Sequence, residues 1–108
     1  MTPRIGLLVF LLVCSHFSFA NDFDNLPEVK LLQEGMPKDV ASFIPRVVEC
    51  NHFGGEEAYN KERAEFLSRA VESAGCGSLG EKETQLREKY KDYPKVLEVI
   101  TKAKDLAI

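Results

Sequence analysis

"VASFIPRVVECNHFGG", Val40 to Gly55, decides the fold because its apolar residues recur at helical spacing. Pro45 lies inside this pattern, where a proline removes a backbone hydrogen bond and disfavours a straight helix. Since the pattern keeps its phase across Pro45, we predict one kinked helix that ends near Gly54 or Gly55, with one of these glycines in the left-handed conformation. The residues at i, i+3, i+4, i+7 and i+8 of its apolar stripe are Val40, Phe43, Ile44, Val47 and Val48.

Helical spacing continues on both sides of this segment, and no alternating pattern typical of a β-strand stands out. Residues 21–37 predict a polar N-terminal arm with one short helical turn over 27–34. Residues 58–74 predict a second helix ended by Gly75, and a third helix follows from about residue 78 to 90. Asp92 is the expected N-cap of a fourth helix, ahead of Pro94. We therefore predict an all-α fold, a small helical domain of three to four helices.

The inward faces of the later helices follow from the same spacing. The second helix is expected to bury Tyr59, the stem of Arg63, Phe66, Leu67, Ala70, Val71 and Ala74. The third is expected to bury Leu79, Leu86 and Tyr90, and the fourth Val96, Leu97, Ile100, Ala103 and Leu106 or Ala107.

The first 20 residues have the pattern of a secretory signal peptide. Arg4 supplies the positive charge, residues 5–13 the apolar segment, and Ser18-Phe19-Ala20 a small-x-small cleavage site. Cleavage after Ala20 would leave the arm at 21–37 and a disulfide-linked helical domain at 38–108. One alternative is a membrane anchor, but the apolar run is about nine residues where a spanning helix needs about 20.

A second alternative is a bacterial lipoprotein acylated on Cys14, which would anchor the chain to a membrane. That processing normally requires a small residue before the cysteine, and Val13 stands there. We therefore expect a cleaved chain with no stable membrane span, located in the periplasm or secreted.

The net charge of the chain limits the classes of partner that it is expected to bind. Loss of Arg4 with the signal peptide leaves 13 basic against 17 acidic side chains, a net charge of −4. An acidic chain with interspersed signs lacks the basic stripe that phosphate backbones require, so no nucleic-acid partner is expected.

Cleavage would leave two cysteines, Cys50 and Cys76, in a chain sent to an oxidising compartment, which predicts a disulfide. Cys50 lies near the end of one predicted helix and Cys76 just past the end of the next. A straight antiparallel hairpin would keep these two ends apart. The bridge therefore requires helices that cross steeply or an extended segment between them.

The stretch "CNHFGGEE", Cys50 to Glu57, is the candidate site. His52 with Glu56 or Glu57 is a candidate surface or metal site, because one imidazole and two carboxylates suit an open zinc site. The structural interpretation gives Cys50 to the disulfide, His52 to the negative end of the helix dipole, and Phe53 to a cover over the disulfide. No nucleophile–base pair or phosphate loop is present, so we expect no enzyme and no cofactor.

The segments "CNHFGGEE", "NKERAEFLSRAVESAGCGSL" and "QLREKYKDYPKVLEVI" resemble a family of small exported bacterial proteins of uncharacterised function. Its pattern is C-x-H-F-x-G-E followed by a second cysteine, and Cys50, His52, Phe53, Gly55, Glu56, Cys76, Leu86 and Tyr90 fit it over residues 45–100. Pro45 departs from a straight helix before the motif. The resemblance implies a periplasmic, small helical protein, and it implies no activity.

The function expected from the sequence is a non-enzymatic binding or interaction module of the bacterial envelope. Its partner would be an envelope protein or a small ligand, bound on an exposed apolar patch that includes Tyr59, Tyr90 or Tyr93. The alternative is a metal-binding periplasmic protein that uses His52 with Glu56 or Glu57.

Overall fold

The computed structural model describes residues 21–106, and all regular structure in that range is helical. The predicted signal peptide, its cleavage site and Cys14 lie outside the described residues, as does Ala107. No helix within residues 21–106 is long and apolar enough to cross a membrane. The helices are α1 (Asn21–Asp24), α2 (Pro27–Gln33), α3 (Lys38–Gly54), α4 (Lys61–Ser73), a 3-10 helix (Cys76–Ser78), α5 (Leu79–Lys89) and α6 (Pro94–Asp105). The predicted all-α fold with one disulfide is confirmed.

The apolar stripe of α3 forms the centre of the core. Val40 and Ile44 are fully buried, and the other three residues of the stripe are at most 7% exposed. Full burial of an aliphatic side chain stabilises a fold by about 1.5–3 kcal/mol, so this stripe accounts for a large part of the stability. Four helices contribute to the core: Val29 from α2, the α3 stripe, Leu79 and Leu86 from α5, and Val96, Val99, Ile100 and Ala103 from α6.

Pro45 lies inside α3 without ending it, as the phase of the stripe predicted. Its missing N–H leaves the Ala41 carbonyl without its usual partner four residues on. The Gln33 side chain donates to that carbonyl at 2.9 Å. The Ala41 carbonyl, which lacks its helical partner because of the proline, therefore accepts a hydrogen bond from α2 instead. Pro45 itself is buried.

The N-terminal segment is part of this packing. The helical turn predicted over 27–34 is confirmed as α2. Val29 of α2 is fully buried, and Phe23, Leu26, Leu32 and Met36 pack against the core from the same segment. The predicted polar arm at residues 21–37 did not include a core position at Val29.

The predicted end of α3 near Gly54 or Gly55 is confirmed, but the left-handed conformation expected there is wrong, since Gly55 caps the helix in the right-handed region and neither glycine has a positive φ. Two other predicted helix boundaries were wrong. The second helix begins at Lys61 because Asn60 caps it, accepting the Arg63 N–H at 2.7 Å. The N-cap of α6 is Tyr93 rather than Asp92.

The disulfide between Cys50 and Cys76 is present, with 5.7 Å between the two Cα atoms. The helix α4 turns back along α3. Two contacts show this direction: Arg63, in the first turn of α4, bonds to Glu56 just after α3, and Ala74, at the end of α4, accepts from Arg46 in the middle of α3. Cys50 lies a full turn before the end of α3, and residues 55–60 separate the two helices. The non-helical residues 55–60 correspond to the second arrangement expected from the sequence, a long segment between the two helices.

Gly75 ends α4, as predicted, with a φ of 71°. A Cβ atom at this position would collide with the guanidinium of Arg46, whose Nη2 donates to the Ala74 carbonyl at 2.6 Å. Only glycine suits both the left-handed conformation and this close approach.

Candidate functional site

The predicted site residues lie at the C-terminal end of α3 and just beyond it. Arg63 donates two hydrogen bonds to the two carboxylate oxygens of Glu56, at 2.6 and 2.7 Å. The hydrogen bond from Arg63 is the main cause that lowers the pKa of Glu56 below its ordinary value. Glu57 is exposed, and His52 is half-buried. Glu56 is therefore occupied by a guanidinium, a partner that the sequence analysis did not foresee.

A metal ion held by His52 and Glu56 would have to displace the Glu56–Arg63 pair, whereas one held by His52 and the exposed Glu57 would not. Both oxygens of Glu56 already accept from Arg63. Among residues 21–106, no group of three or more histidine, cysteine or acidic side chains is arranged to hold a metal ion. The metal hypothesis stays a prediction, and where Glu56 is the ligand the ion would have to replace the Arg63 guanidinium.

His52 instead belongs to a row of ring contacts. Its imidazole centroid lies 5.7 Å from that of Phe23 and 4.8 Å from that of Phe53. Phe53 in turn meets Phe66 of α4 edge-to-face at 6.0 Å. Such pairs contribute about 0.5–1.5 kcal/mol beyond their buried area. The row connects the N-terminal segment, α3 and α4 at one end of the molecule.

We use the name aromatic corner for Phe53, Tyr59, Arg63 and Phe66. The guanidinium of Arg63 lies 4.7 Å from the centroid of the Phe66 ring, a cation–π contact. The hydrogen bond from Glu56 chiefly raises the pKa of Arg63, and Tyr59 also contributes to the rise. The Glu56–Arg63 pair thus holds the Arg63 guanidinium over the ring of Phe66.

The aromatic corner faces solvent. Tyr59 is 78% exposed and Phe66 is 41% exposed. The prediction that both side chains are buried is wrong, because Tyr59 precedes α4 and because no helix within the described residues covers this side of α4. On α4 only Leu67 is buried, and no residue of α4 belongs to the main core.

The other two tyrosines of the expected patch lie at the junction of α5 and α6. The Tyr90 hydroxyl donates to Asp39 at 2.8 Å, and its ring meets the ring of Tyr93 at 6.0 Å. Tyr93 is 60% exposed, whereas Tyr90 is half-buried against the core. The three tyrosines therefore do not share one element, and only Tyr59 belongs to the aromatic corner.

Comparison with protein-family models, with curated proteins and with solved structures gave no match. The resemblance to an exported bacterial family stays a prediction. The function has to be argued from the surface of the molecule itself.

Proposed function

We propose that the chain is an exported, non-enzymatic interaction module that binds an envelope protein through the aromatic corner. The observation that carries the proposal is the exposure of Tyr59 and Phe66 beside a guanidinium held in place by Glu56. Export rests on the signal-like first 20 residues and on the Cys50–Cys76 disulfide, which suits an oxidising compartment.

The composition of the aromatic corner is that of a binding surface. Tyrosine and arginine are enriched among the residues that dominate binding energy, and charged residues without partners are depleted. The charge of Arg63 is balanced by Glu56, so a partner would meet aromatic surface without an unpaired cation. The bidentate pair and the ring contact also restrict the Arg63 side chain before binding, which reduces the entropy lost on association.

A binding role needs no reacting group. Cys50 is bonded to Cys76, so it offers no thiol for nucleophilic chemistry while the bridge is intact. Aromatic surface left exposed on a small domain otherwise weakens its solubility, and this favours a partner that covers it.

Site-specific photocrosslinking in intact cells tests the proposal. Benzoylphenylalanine replaces Phe66 in one version of the full chain and Ser68 in a control. Ser68 is exposed and lies about 200° around α4 from Phe66. We expect one discrete adduct from position 66 and none from position 68. Adding Tyr59→Ser should abolish the adduct without changing the fold, because an exposed side chain contributes less than about 0.5 kcal/mol to stability.

Equal adducts from positions 66 and 68, or none from either, would contradict the proposal. An adduct with twice the mass of the chain would show self-association and would also contradict an envelope partner. Mass spectrometry of the adduct separates these outcomes.

The metal alternative has its own measurement. Saturating Zn²⁺ or Cu²⁺ raises the melting temperature of a protein that binds it in the folded state. Binding through His52 predicts a rise that His52→Ala abolishes. Our proposal expects no such rise, since Glu56 is held by Arg63.

A further inference from the structure

A groove of about 620 Å³ lies between the first half of α3 and α5, and basic side chains line it. Lys38 and Arg46 come from α3, and Lys82 and Lys89 come from α5. Asp39 is the acidic residue on its wall within the described part of the chain. The groove therefore carries an excess of positive charge on a protein whose formal net charge is −3. We call it the cationic groove.

Of the four cations of the groove, only Lys89 forms an ion pair within the described residues. Lys89 pairs with Asp39 at 2.7 Å, and this hydrogen bond chiefly lowers the pKa of that carboxyl. Arg46 donates to the Ala74 carbonyl, which is a neutral acceptor. The carboxylate of Glu49 also interacts electrostatically with Arg46. The ammonium groups of Lys38 and Lys82 make no hydrogen bond or ion pair within residues 21–106. Two ammonium groups are thus available to a ligand, and the Arg46 guanidinium also lines the groove.

The helices α3 and α5 form the two walls of the groove and run antiparallel, so the cations are distributed along its length. Asp39, at the start of α3, contacts Lys89 and Tyr90, at the end of α5. Lys38 and Arg46 are eight residues apart, about 12 Å along the axis of α3. Lys82 and Lys89 are seven residues apart, about 10 Å along α5. Each end of the groove therefore holds cations.

Apolar side chains also line the groove. Phe43 lies between Lys38 and Arg46 on α3, next to the polar Ser42, and Leu79 lies at the start of α5; Phe43 and Leu79 both belong to the core cluster. A ligand that fits must carry anionic groups about 10 Å apart, with apolar atoms between them. Residues i and i+3 of an extended peptide are separated by about 10 Å, at about 3.3 Å per residue. Because successive side chains alternate in direction, carboxylates at i and i+3 would face opposite walls of the groove, and Lys38 and Lys82 lie on opposite walls.

We propose that the cationic groove binds an extended acidic segment of a partner protein, with carboxylates at positions i and i+3 and apolar side chains between them. A single small anion would reach the cations at one end only. The site is separate from the aromatic corner, since Asp39 and Phe53 are 14 residues apart on α3, about 21 Å along its axis. The proposal therefore does not rest on the function proposed above.

An NMR titration of the oxidised, isotopically labelled protein with three capped tetrapeptides tests it. The peptides are Glu-Leu-Leu-Glu, the same composition reordered as Glu-Glu-Leu-Leu, and the neutral Gln-Leu-Leu-Gln. We expect saturable shifts of the α3 and α5 amides that line the groove. Glu-Leu-Leu-Glu should bind several-fold more tightly than the reordered peptide, and the neutral peptide should cause no saturable shift. Binding should weaken with salt, because exposed charges are screened.

The double variant Lys38→Gln, Lys82→Gln should weaken binding about fivefold, since exposed charge pairs are individually weak. Its matched control is Lys61→Gln, Lys95→Gln, which removes the same charge from two exposed lysines outside the groove. Equal weakening by both double variants would overturn the proposal, as would equal affinity for the two acidic peptides. Inorganic phosphate that reproduces the shifts at the same concentration would also overturn it, because it would show a site for any small anion.

Discussion

The core side of the molecule and α4 are stabilised by different kinds of interaction. On the core side, α2, α3, α5 and α6 place apolar side chains in one cluster around Ile44. The helix α4 contributes nothing to that cluster and buries only Leu67. It is attached through the Cys50–Cys76 disulfide, the Glu56–Arg63 pair, the hydrogen bond from Arg46 to the carbonyl of its C-cap Ala74, and ring contacts.

This difference shows how a small domain keeps an aromatic surface exposed. A helix that buried Phe66 in the core would gain stability in proportion to the area buried, and it would remove that ring from the surface. A covalent bridge and a few directional contacts hold α4 in place without covering its face. Elements held by few buried contacts open more easily than the core.

The largest effect should follow from breaking the core side. Ile44→Ala removes a fully buried side chain from the centre of the cluster and should lower the free energy of unfolding by about 3–4 kcal/mol. Leu67→Ala on α4 should have a clearly smaller effect, because Leu67 lies outside the cluster. Urea unfolding of the oxidised variants measures both. Equal losses would remove the distinction between the two regions.

Removing the bridge should affect α4 first. Replacing Cys50 and Cys76 with serine should cost about 3 kcal/mol, since the bridge closes a loop of 26 residues in the unfolded chain. Native-state hydrogen exchange should show α4 amides exchanging faster than those of α3 and α6. Uniform loss of protection across all helices would contradict the separate attachment of α4.

The core side also depends on one directional contact, and a double-mutant cycle isolates it. Gln33→Ala should cost about 1 kcal/mol, because the Ala41 carbonyl loses its donor. In a Pro45→Ala background the backbone N–H of residue 45 can take over, so the same change should cost much less. Chemical denaturation of the four proteins gives the coupling energy. Strict additivity would show that Gln33 does not compensate for the proline.

The smallest effect concerns Glu49, on α3 in a cleft shared with the end of α4. Burial chiefly raises its pKa above 4.5, opposed by Arg46 and aided by Asp24. A carboxyl with a raised folded-state pKa favours the folded state when protonated, so its ionisation destabilises the protein as pH rises through that pKa. Glu49→Gln should therefore stabilise the protein at pH 7, by less than about 0.5 kcal/mol.

Melting curves at pH 7 and pH 3 provide the comparison for Glu49→Gln. The difference from the parent protein should vanish at pH 3, where the carboxyl is neutral in both states. A gain of equal size at both pH values would mean that the charge is not its cause.

Much of the helical architecture was predictable because it depends on residues close together in sequence. The stripe from Val40 to Val48, the continuation of α3 through Pro45 and the end of α4 at Gly75 follow from spacing and local conformational preference. The Cys50–Cys76 bridge was predicted from the two cysteines that the expected signal cleavage would leave in the chain. The candidate site was predicted only in part, since His52 and Glu56 were named but the ring row and the Arg63 pair were not.

The wrong burial predicted for the side chains of the second helix has two causes. Periodicity identifies the apolar face of α4, but it does not say whether another helix will cover that face, and Tyr59 and Phe66 were therefore misassigned as buried. Asn60 before the helix was an available N-cap signal and would have moved Tyr59 out of the helix.

The sequence by itself determined which segments are helical, where glycine and proline end or begin them, and which cysteines pair. Those properties depend on interactions within about four residues and on a simple count. Only the tertiary structure decided that Gln33 serves the carbonyl under Pro45, that Arg63 closes on Glu56, and that lysines of α3 and α5 face one groove. Each of these depends on how helices pack against one another, and that packing is set by the whole core rather than by any one segment.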